Sequence, residues 1–248
     1  MKLSTRIVKL FDKTHQIFLR SEGHSDNLCY EQVIGDEDYS FSAKNGQPWT
    51  QGISLDRYYD HLIANEKTPL ILDLGAKIGM SALYFASKYP QAKIYAVEPD
   101  GENFQMLIMN TPGLSIEYFQ AAIGASEGTS FLSDPGLSDW GFRVGGDSGT
   151  KVEVLEMKKL VEGAIATDLV PLLCKIDIEG GEQALFSHNT AWFKLFPLVI
   201  AELHDWMLPF QNSSRGFLET LSDSGYELIY RGENSFCFDP RLKDFIPS

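Results

Sequence analysis

The sequence contains no apolar run that approaches the roughly 20 residues needed to cross a bilayer, so we expect no membrane-spanning helix. Basic residues are also scarce, since 21 lysines and arginines stand against 34 aspartates and glutamates, a formal charge of −13. Binding to nucleic acid depends on clustered lysine and arginine. We therefore predict neither a nucleic-acid partner nor a membrane partner.

Cysteine is scarce as well. The three cysteines, Cys29, Cys174 and Cys237, are widely spaced and include no C-x-x-C pair. This pattern indicates neither a disulfide framework nor a zinc site. Charged residues at positions 9, 12 and 13 interrupt the apolar stretch that a secretory signal requires. We predict a cytoplasmic protein.

What the sequence does contain is a composition typical of a folded globular protein, with 44% hydrophobic and 22% charged residues in 248 positions. The first fifty residues mix polar and apolar side chains without a sustained period, and they indicate short strands and loops. We predict an N-terminal extension or cap over residues 1–53 and one large domain over residues 54–248. A helix is expected over residues 54–66, with Ser54 as its N-cap.

Beyond this helix, strand-like and helix-like segments alternate. The predicted strands are mostly apolar runs of the kind buried on both faces: PLILDLG, KIYAVEP, SIEYFQAAIG, LLCKIDIEG and PLVIAELH. The helices expected between them are MSALYFASKY, GENFQMLIMN, EMKKLVEGAIA, GEQALFSH and SRGFLETLSDSG. At the C-terminus, YELIYR and NSFCFD are joined by a short turn containing Gly232, which predicts an antiparallel hairpin. The predicted fold is α/β: a doubly wound, mostly parallel, seven-stranded Rossmann-like sheet that ends in this hairpin.

A glycine-containing turn follows the first predicted strand, where residues 73–79 are DLGAKIG. Glycine suits a sharp reversal and a close approach of backbone to a ligand. The second strand ends at Glu98, 23 positions after Gly75. An acid at about this distance can accept hydrogen bonds from both hydroxyls of a ribose.

Two cofactors are compatible with this pattern. A dinucleotide normally requires G-x-G-x-x-G around its pyrophosphate, and the middle glycine is missing here. S-adenosylmethionine has no phosphate, carries a sulfonium cation and suits a looser G-x-x-x-G turn preceded by an acid, here Asp73. We predict S-adenosylmethionine as the cofactor.

The ordered set LDLGAKIG, VEPDGENFQML, AAIG, KIDIEGGE and AELH resembles the motifs of the FkbM-type methyltransferases, a class I S-adenosylmethionine-dependent family. The resemblance covers about residues 54–238, and it implies O-methylation of a small hydroxylated molecule or a carbohydrate. It also implies a set of donor-binding residues: Asp73, Gly75, Ala76, Gly79 and Ser81 around the methionine end, Glu98, Pro99 and Asp100 around the ribose, and Ala121 and Ala122 beside the adenine. Lys77 stands where the family usually has asparagine, so it either pairs with the donor's carboxylate or points to solvent.

Methyl transfer to oxygen requires alignment of the reactants and a proton acceptor. His204 is the predicted base because its ordinary pKa lies near neutrality, and Asp177 is the second choice. Glu179 is a further candidate, with favourable placement at a helix N-terminus as its structural alternative. Lys175, expected on a buried strand, is also a catalytic candidate, with an ion pair to an acid as its structural alternative. These acidic groups and the imidazole can alternatively hold a divalent cation.

Aromatic residues in predicted loops provide stacking faces for an acceptor. We predict substrate contacts at Tyr39, Trp49, Trp140, Phe142 and Trp206, with the N-terminal segment and the loop around Trp140 forming a lid. Two other functions remain open at this stage. One is a non-catalytic nucleoside-binding or scaffold protein, and the other is a nicotinamide oxidoreductase.

Overall fold

The computed structural model describes residues 2–21, 25–43, 45–133 and 148–246, together with the backbone of residues 143–144. The strands lie, in chain order, at β1 (Leu3–Leu10), β2 (Lys13–Arg20), β3 (Thr68–Leu74), β4 (Lys93–Val97), β5 (Ile116–Phe119), β6 (Ala122–Gly124), β7 (Gly128–Ser133), β8 (Arg143–Val144), β9 (Thr150–Glu156), β10 (Leu169–Ile176), β11 (Leu198–Glu202), β12 (Glu227–Arg231) and β13 (Asn234–Phe238).

The helices follow the expected alternation with the strands. They are α1 (Asp26–Tyr30), α2 (Thr50–Ala64), α3 (Met80–Lys88), α4 (Gly101–Asn110), α5 (Met157–Ala166), α6 (Glu182–Leu185) and α7 (Arg215–Ser224). A π-helical turn at Glu31–Gly35 and 3₁₀ turns at Thr190–Leu195 and Pro240–Phe245 complete the set. No helix in the described part of the chain is long and apolar enough to cross a membrane.

The central sheet has seven strands in the order β12-β13-β11-β10-β3-β4-β5. The pairs from β11 through β10, β3 and β4 to β5 are parallel, whereas β13 runs antiparallel to both β11 and β12. This arrangement confirms the predicted mostly parallel sheet and its C-terminal antiparallel hairpin. Because parallel strands point the same way, the carboxyl ends of β3, β4, β10 and β11 meet along one edge of the sheet.

Both faces of the sheet are covered, which explains the unbroken apolar runs of its strands. Alternate residues of β3 point to opposite sides, so Ile71 packs in one core while Leu70 and Leu72 pack in the other. Helices α2, α3 and α4 contribute to the first core, and α5, α6 and α7 contribute to the second.

Two helix predictions differ from the structure. Helix α2 begins at Thr50, so Ser54 is buried within the helix and does not cap it. The predicted boundary between residues 53 and 54 therefore falls inside one continuous helix. The predicted helix GEQALFSH is reduced to the single turn of α6, because the chain leaves the helical conformation at Phe186.

The predicted strand SIEYFQAAIG is in fact two strands that belong to different sheets. Strand β5 ends at Phe119 and completes the central sheet, while β6 pairs in parallel with β9. The second sheet has the order β6-β9-β7-β8 and was not predicted. The break falls at residues 120–121, where the chain turns away from the edge of the central sheet.

The N-terminal extension is more regular than expected. Strands β1 and β2 form an antiparallel hairpin that pairs from Leu3–Arg20 to Leu10–Lys13, and residues 26–35 are helical where loops were predicted. Ile17 and Leu19 are fully buried in the first core. The Asn110 side chain on α4 joins this hairpin to the main domain, since it bonds the N–H and the C=O of Phe18 and the C=O of Ile78 at 2.7, 3.1 and 2.9 Å.

Candidate functional site

The turn after β3 is held tightly against the neighbouring strand end. The N–H groups of Gly75 and Ala76 donate to the carbonyl of Val97 at 2.9 and 3.0 Å. Gly75 has φ +77°, and a Cβ atom at this position would lie 1.7 Å from the carbonyl oxygen of Asp177. Gly79 also has positive φ, +88°, and immediately precedes α3. Position 75 therefore requires glycine, because its φ is positive and because a Cβ atom would clash with the Asp177 carbonyl.

A first cavity of about 550 Å³ opens beside this turn. Its wall combines apolar surface with a few charged groups: Gly75, Lys77, Val97, Glu98, Pro99, Asn103, Ala121, Ala122, Ile123, Asp177, Ile178, Glu179 and Gly181. The ends of β4 and β6 supply the apolar part, and the ends of β3 and β10 supply most of the charge. A mostly apolar wall with a few charged groups is typical of a site for a small molecule.

Glu98 is the most constrained acid of the first cavity. Its side chain is nearly buried and accepts hydrogen bonds from the backbone N–H groups of Lys77 at 2.8 Å and Asp100 at 2.9 Å. Burial raises the pKa of Glu98 to about 7, although the two N–H groups and Lys77 act in the opposite direction. Each carboxylate oxygen keeps a second lone pair, so Glu98 can still accept from two hydroxyls of a ligand.

Six of the predicted donor-binding residues line this first cavity, and the remaining five do not. Those in the wall are Gly75, Lys77, Glu98, Pro99, Ala121 and Ala122. Ala76 and Ser81 line a neighbouring cavity instead. Among the described residues, Asp73, Gly79 and Asp100 are absent from both walls.

Asp73 and Asp100 have structural contacts that explain their positions. Asp73 is fully buried, accepts from the Ser81 hydroxyl at 2.6 Å and pairs with the Lys175 ammonium at 3.2 Å. Through Ser81 and Lys175, Asp73 therefore stabilises the turn from its buried side. Asp100 caps α4 by accepting from the N–H groups of Glu102 and Asn103.

Sequence reasoning missed Asn103 in the wall of the first cavity. Its side-chain oxygen accepts from the buried Arg20 guanidinium at 2.7 Å, and Arg20 also pairs with the buried Asp26 at 2.6 Å. An arginine on an N-terminal strand and an asparagine on α4 are 83 positions apart. Nothing in a single sequence indicates that they meet.

A second cavity, with about 1090 Å³ of empty space, adjoins the first and shares Gly75, Lys77, Asp177 and Glu179 with it. The N-terminal segment supplies one side of this cavity, through Cys29, Gln32, Val33, Asp38 and Tyr39. The opposite side comes from strand ends and the following loops: Ser81, Lys175, Glu202, Trp206, Glu233 and Asn234. The N-terminal segment thus lines one side of the second cavity.

Two lysines and two acids form the boundary between the cavities. The Lys77 ammonium lies 2.6 Å from Glu179 Oε1 and 3.7 Å from Asp177 Oδ2, so it does not simply point to solvent. The Lys175 ammonium donates to the Gly75 carbonyl at 2.7 Å and lies 3.7 Å from Asp177 Oδ2. Burial alone would raise the pKa of Asp177, but the two lysines and His204 outweigh it and lower that pKa to about 2. Asp177 is thus ionised at neutral pH.

His204 is 1% exposed and is surrounded by carboxylates. Its Nδ1 atom lies 2.8 Å from Glu182, and its Nε2 atom lies 3.4 Å from both Glu179 and Glu202 and 3.6 Å from Asp177. Burial lowers the pKa of His204, but these carboxylates outweigh it and raise that pKa to about 11. At neutral pH the ring is therefore the imidazolium, protonated on both nitrogens, and it can act as a base only after it loses one of these protons.

The predicted substrate-binding aromatics fall into three groups. Tyr39 and Trp206 line the second cavity, and the ring of Trp206 lies 6.5 Å from that of His204. Trp49 packs edge-on against Phe236 and Phe238 at centroid distances of 5.2 and 6.5 Å, so its ring belongs to the core and not to the site as predicted. Trp140 and Phe142, with the expected lid around them, lie outside the described residues.

No family model matches the chain. Methyltransferase sdnD of Sordaria araneosa is 38% identical over 96 residues, and the match covers 37% of this chain and 36% of that protein. The chain therefore spans about a third of the length of this curated relative.

Two solved structures show partial similarity to this chain. A putative caffeoyl-CoA O-methyltransferase from Staphylococcus aureus is 13% identical, with a TM-score of 0.44 over 89% of this chain and 93% of that chain. The fibrillarin pre-rRNA processing protein of Methanococcus jannaschii is 9% identical, with a TM-score of 0.45 over 95% of this chain and 83% of that chain. By its own strand order and its C-terminal antiparallel strands, the chain has the Rossmann-like fold of class I methyltransferases.

Proposed function

We propose that the chain is an S-adenosylmethionine-dependent O-methyltransferase that acts on a hydroxyl of a small molecule or a carbohydrate. The observation that carries the proposal is the pair of adjoining cavities at the carboxyl ends of the parallel strands. One presents Glu98 beside the Gly75 turn, and the other contains the charged groups needed to handle a proton.

The first cavity suits the donor in three respects. Glu98 has lone pairs for both ribose hydroxyls, and Val97, Ala121 and Ile123 provide apolar surface for an adenine ring. Its charged lining groups are three carboxylates and one ammonium group, a surplus that favours a sulfonium cation. When bound, S-adenosylmethionine supplies a methyl group that its positive sulfur already activates.

The same charges argue against a nicotinamide dinucleotide. A pyrophosphate in the first cavity would lie near Glu98, Asp177 and Glu179. Lys77 stands where a dinucleotide-binding loop has the middle glycine that lets the backbone approach the phosphates closely. Phosphate sites use helix N-termini and positive groups, and these three acids oppose such binding. An oxidoreductase is therefore the weaker alternative.

The second cavity suits a polar acceptor, because Asp38, Glu202 and Glu233 line it and can accept hydrogen bonds from hydroxyl groups. Holding the acceptor hydroxyl in line with the donor supplies alignment, which contributes up to about 7–11 kcal/mol in well-oriented systems. The proton of that hydroxyl must also be removed.

Of the groups near the shared boundary, we propose Glu202 as the proton acceptor. It lines the second cavity, and burial together with Asp177 raises its pKa above the ordinary value. His204, 3.4 Å from Glu202 Oε1, then holds the carboxylate in place and balances its charge. In this scheme Asp177, Glu179 and Lys175 hold the site together through their ion pairs. His204, which the sequence predicted as the base, could act as a base only in its neutral form.

Binding and turnover can be tested separately. Calorimetric titration with S-adenosylhomocysteine measures donor binding, and transfer of radiolabel from S-adenosylmethionine to a panel of hydroxylated acceptors measures turnover. Binding of S-adenosylhomocysteine together with acceptor-dependent label transfer supports the proposal. Binding without transfer to any acceptor indicates the non-catalytic alternative, and absence of binding rejects the donor site.

Two finer assignments remain part of this proposal. Membership of the FkbM-type family rests on the motif resemblance, since the family comparison returned no match. A cytoplasmic location rests on the cysteine pattern, and all three cysteines are free thiols.

A further inference from the structure

Three potential metal ligands converge beside the two cavities: Asp177 and Glu179 line both walls, and the buried His204 lines neither. Asp177 and Glu179 follow β10, and His204 follows β11, the neighbouring parallel strand. One ligand atom from each side chain lies within 4.8 Å of the others, and all three residues are buried. The residue types, two carboxylates and an imidazole, are common ligands of divalent cations.

The imidazole is held in the orientation that a metal ligand requires. Glu182 is fully buried and lies 2.8 Å from Nδ1, so it can accept the Nδ1 proton and leave Nε2 directed at the carboxylates. Histidine ligands usually have a carboxylate or carbonyl in this outer position, where it fixes the ring and its tautomer. Glu182 therefore has the position of an outer-shell partner.

Distances around Nε2 are longer than ordinary hydrogen bonds. Nε2 lies 3.6 Å from Asp177 Oδ1 and 3.4 Å from Glu179 Oε2. Hydrogen bonds to a carboxylate usually span about 2.7–2.9 Å. Metal–ligand bonds of about 2.1–2.5 Å place neighbouring ligand atoms roughly 3–3.6 Å apart. The spacing thus suits a shared cation better than direct contact.

The oxygens that face Nε2 are not those engaged by lysine. Lys77 contacts Asp177 Oδ2 and Glu179 Oε1, which leaves Asp177 Oδ1 and Glu179 Oε2 on the side of the imidazole. Asp177 is 8% exposed, and its Oδ1 atom is buried and makes no hydrogen bond. An unsatisfied buried carboxylate oxygen is costly unless a ligand completes its environment.

The local charge favours a cation as well. Five carboxylates lie in this connected group: Asp73, Asp177, Glu179, Glu182 and Glu202. The lysines within it are Lys77 and Lys175, and the protonated His204 adds a third positive charge, so two negative charges are unbalanced. A divalent cation that displaces the Nε2 proton reduces this surplus by one charge.

We propose that Asp177, Glu179 and His204 form a binding site for one divalent cation. This assignment rests on the contacts described above and does not require that S-adenosylmethionine binds in the first cavity. The site's position, on a boundary shared by both cavities, would bring the cation to the oxygen of an acceptor if the proposed function holds.

Mn²⁺ is a suitable probe, because its electron paramagnetic resonance signal diminishes when the ion leaves solution for a protein site. The titration compares the wild type with Asp177→Asn, Glu179→Gln and His204→Gln, after removal of adventitious metal by a chelator. Glu153→Gln is the matched control, since it removes one carboxylate charge from an exposed position on β9. Circular dichroism in metal-free buffer verifies that each variant is folded.

We expect the wild type and Glu153→Gln to bind one Mn²⁺ per chain and each ligand variant to bind at least 10-fold more weakly. Trp206 provides a second measurement, because its ring lies 6.5 Å from that of His204. Mn²⁺ should quench the fluorescence of the wild type more than that of Trp206→Phe, with unchanged affinity.

Two results would overturn the cation site: no Mn²⁺ binding by the wild type at millimolar concentration, or equal binding by the wild type and all three ligand variants. Parallel titration with S-adenosylhomocysteine separates this outcome from failure of the proposed function. Donor binding without Mn²⁺ binding removes only the cation, whereas Mn²⁺ binding without donor binding removes only the methyltransferase proposal.

Discussion

Among single residues, Glu98 provides the most direct test of donor binding. Glu98→Gln keeps the shape of the side chain but removes one of its two acceptor oxygens. We expect the free energy of S-adenosylhomocysteine binding to become less favourable by about 1–3 kcal/mol, the usual cost of leaving a buried polar partner unsatisfied. Isothermal titration calorimetry measures the change.

Glu117→Gln is a matched control because it alters the charge of a half-exposed glutamate on the adjacent strand β5. This variant should bind S-adenosylhomocysteine as the wild type does. Equal affinity in Glu98→Gln and Glu117→Gln would exclude Glu98 from the donor site.

The pKa of His204 predicts a specific dependence of stability on pH. Its value is about 11 in the folded chain, and an unfolded histidine has a pKa near 6.5. The folded state therefore binds more protons between these values, so the stabilisation is complete below pH 6.5 and is lost as the pH rises toward 11. Urea unfolding at pH 7, 8 and 9 in chelator should show a steeper loss in the wild type than in His204→Gln.

His61→Gln, which replaces an exposed histidine on α2, controls for the loss of an imidazole as such. It should retain the pH dependence of the wild type. If His204→Gln also retained it, the carboxylates would not hold a proton on His204.

How far the site could be predicted depends on whether a residue acts through local pattern or through tertiary contact. Gly75 and Glu98 belong to a local pattern of strand, turn and strand end, and they do line the first cavity. Asp73 fits the same pattern but is fully buried, because Ser81 and Lys175 cover it. The grouping of Asp177 and Glu179 with His204 follows from the parallel pairing of β10 and β11. The contact between Arg20 and Asn103 depends on packing between distant segments, which the sequence does not specify.

Among the structural elements, the turn between β3 and α3 is the one most sensitive to substitution. In Gly75→Ala, the alanine is held at a positive φ, which costs about 1–3 kcal/mol. Its Cβ atom would also lie 1.7 Å from the Asp177 carbonyl oxygen, which is a steric clash. Gly113→Ala is a matched control, because Gly113 has φ +74° and nothing within 4 Å of its added Cβ. Both variants therefore incur the same backbone strain.

We expect Gly75→Ala to lose about 1–3 kcal/mol more unfolding free energy than Gly113→Ala, the usual cost of overpacking. Urea denaturation at neutral pH measures the difference. Gly75→Ala should also weaken binding of S-adenosylhomocysteine, since relief of the clash displaces the cavity wall. Equal destabilisation by the two substitutions would mean that β10 does not press against the turn.

At the level of elements, sequence periodicity predicted the central sheet well and the second sheet not at all. Strands such as β3 and β11 are continuous apolar runs, because both of their faces are buried. Strands β7 and β9 are partly exposed and lie within a segment of mixed polarity. The break between β5 and β6 is determined by pairing with β9, about thirty residues away, and the apolar run SIEYFQAAIG does not mark it.

In the molecule as a whole, the N-terminal segment is packed against the main domain. It supplies buried residues to the first core and one side of the second cavity. Asn110 lies on α4, and its side chain bonds the β2 backbone at Phe18 and the turn at Ile78. This residue therefore joins three parts of the molecule. Loss of this side chain should therefore affect regions far apart in sequence.

We expect Asn110→Ala to lower the free energy of unfolding by about 1–3 kcal/mol, because it leaves buried backbone groups of Phe18 and Ile78 without their partner. Urea denaturation measures this cost, and hydrogen exchange should locate it as faster exchange of the Phe18 amide. Asn65→Ala is the control, since Asn65 is exposed and bonds only within its own helix end at His61. Unchanged Phe18 exchange in Asn110→Ala would mean that the apolar contacts of Ile17 and Leu19 alone fix the hairpin, and that the cover over the second cavity does not depend on the polar link.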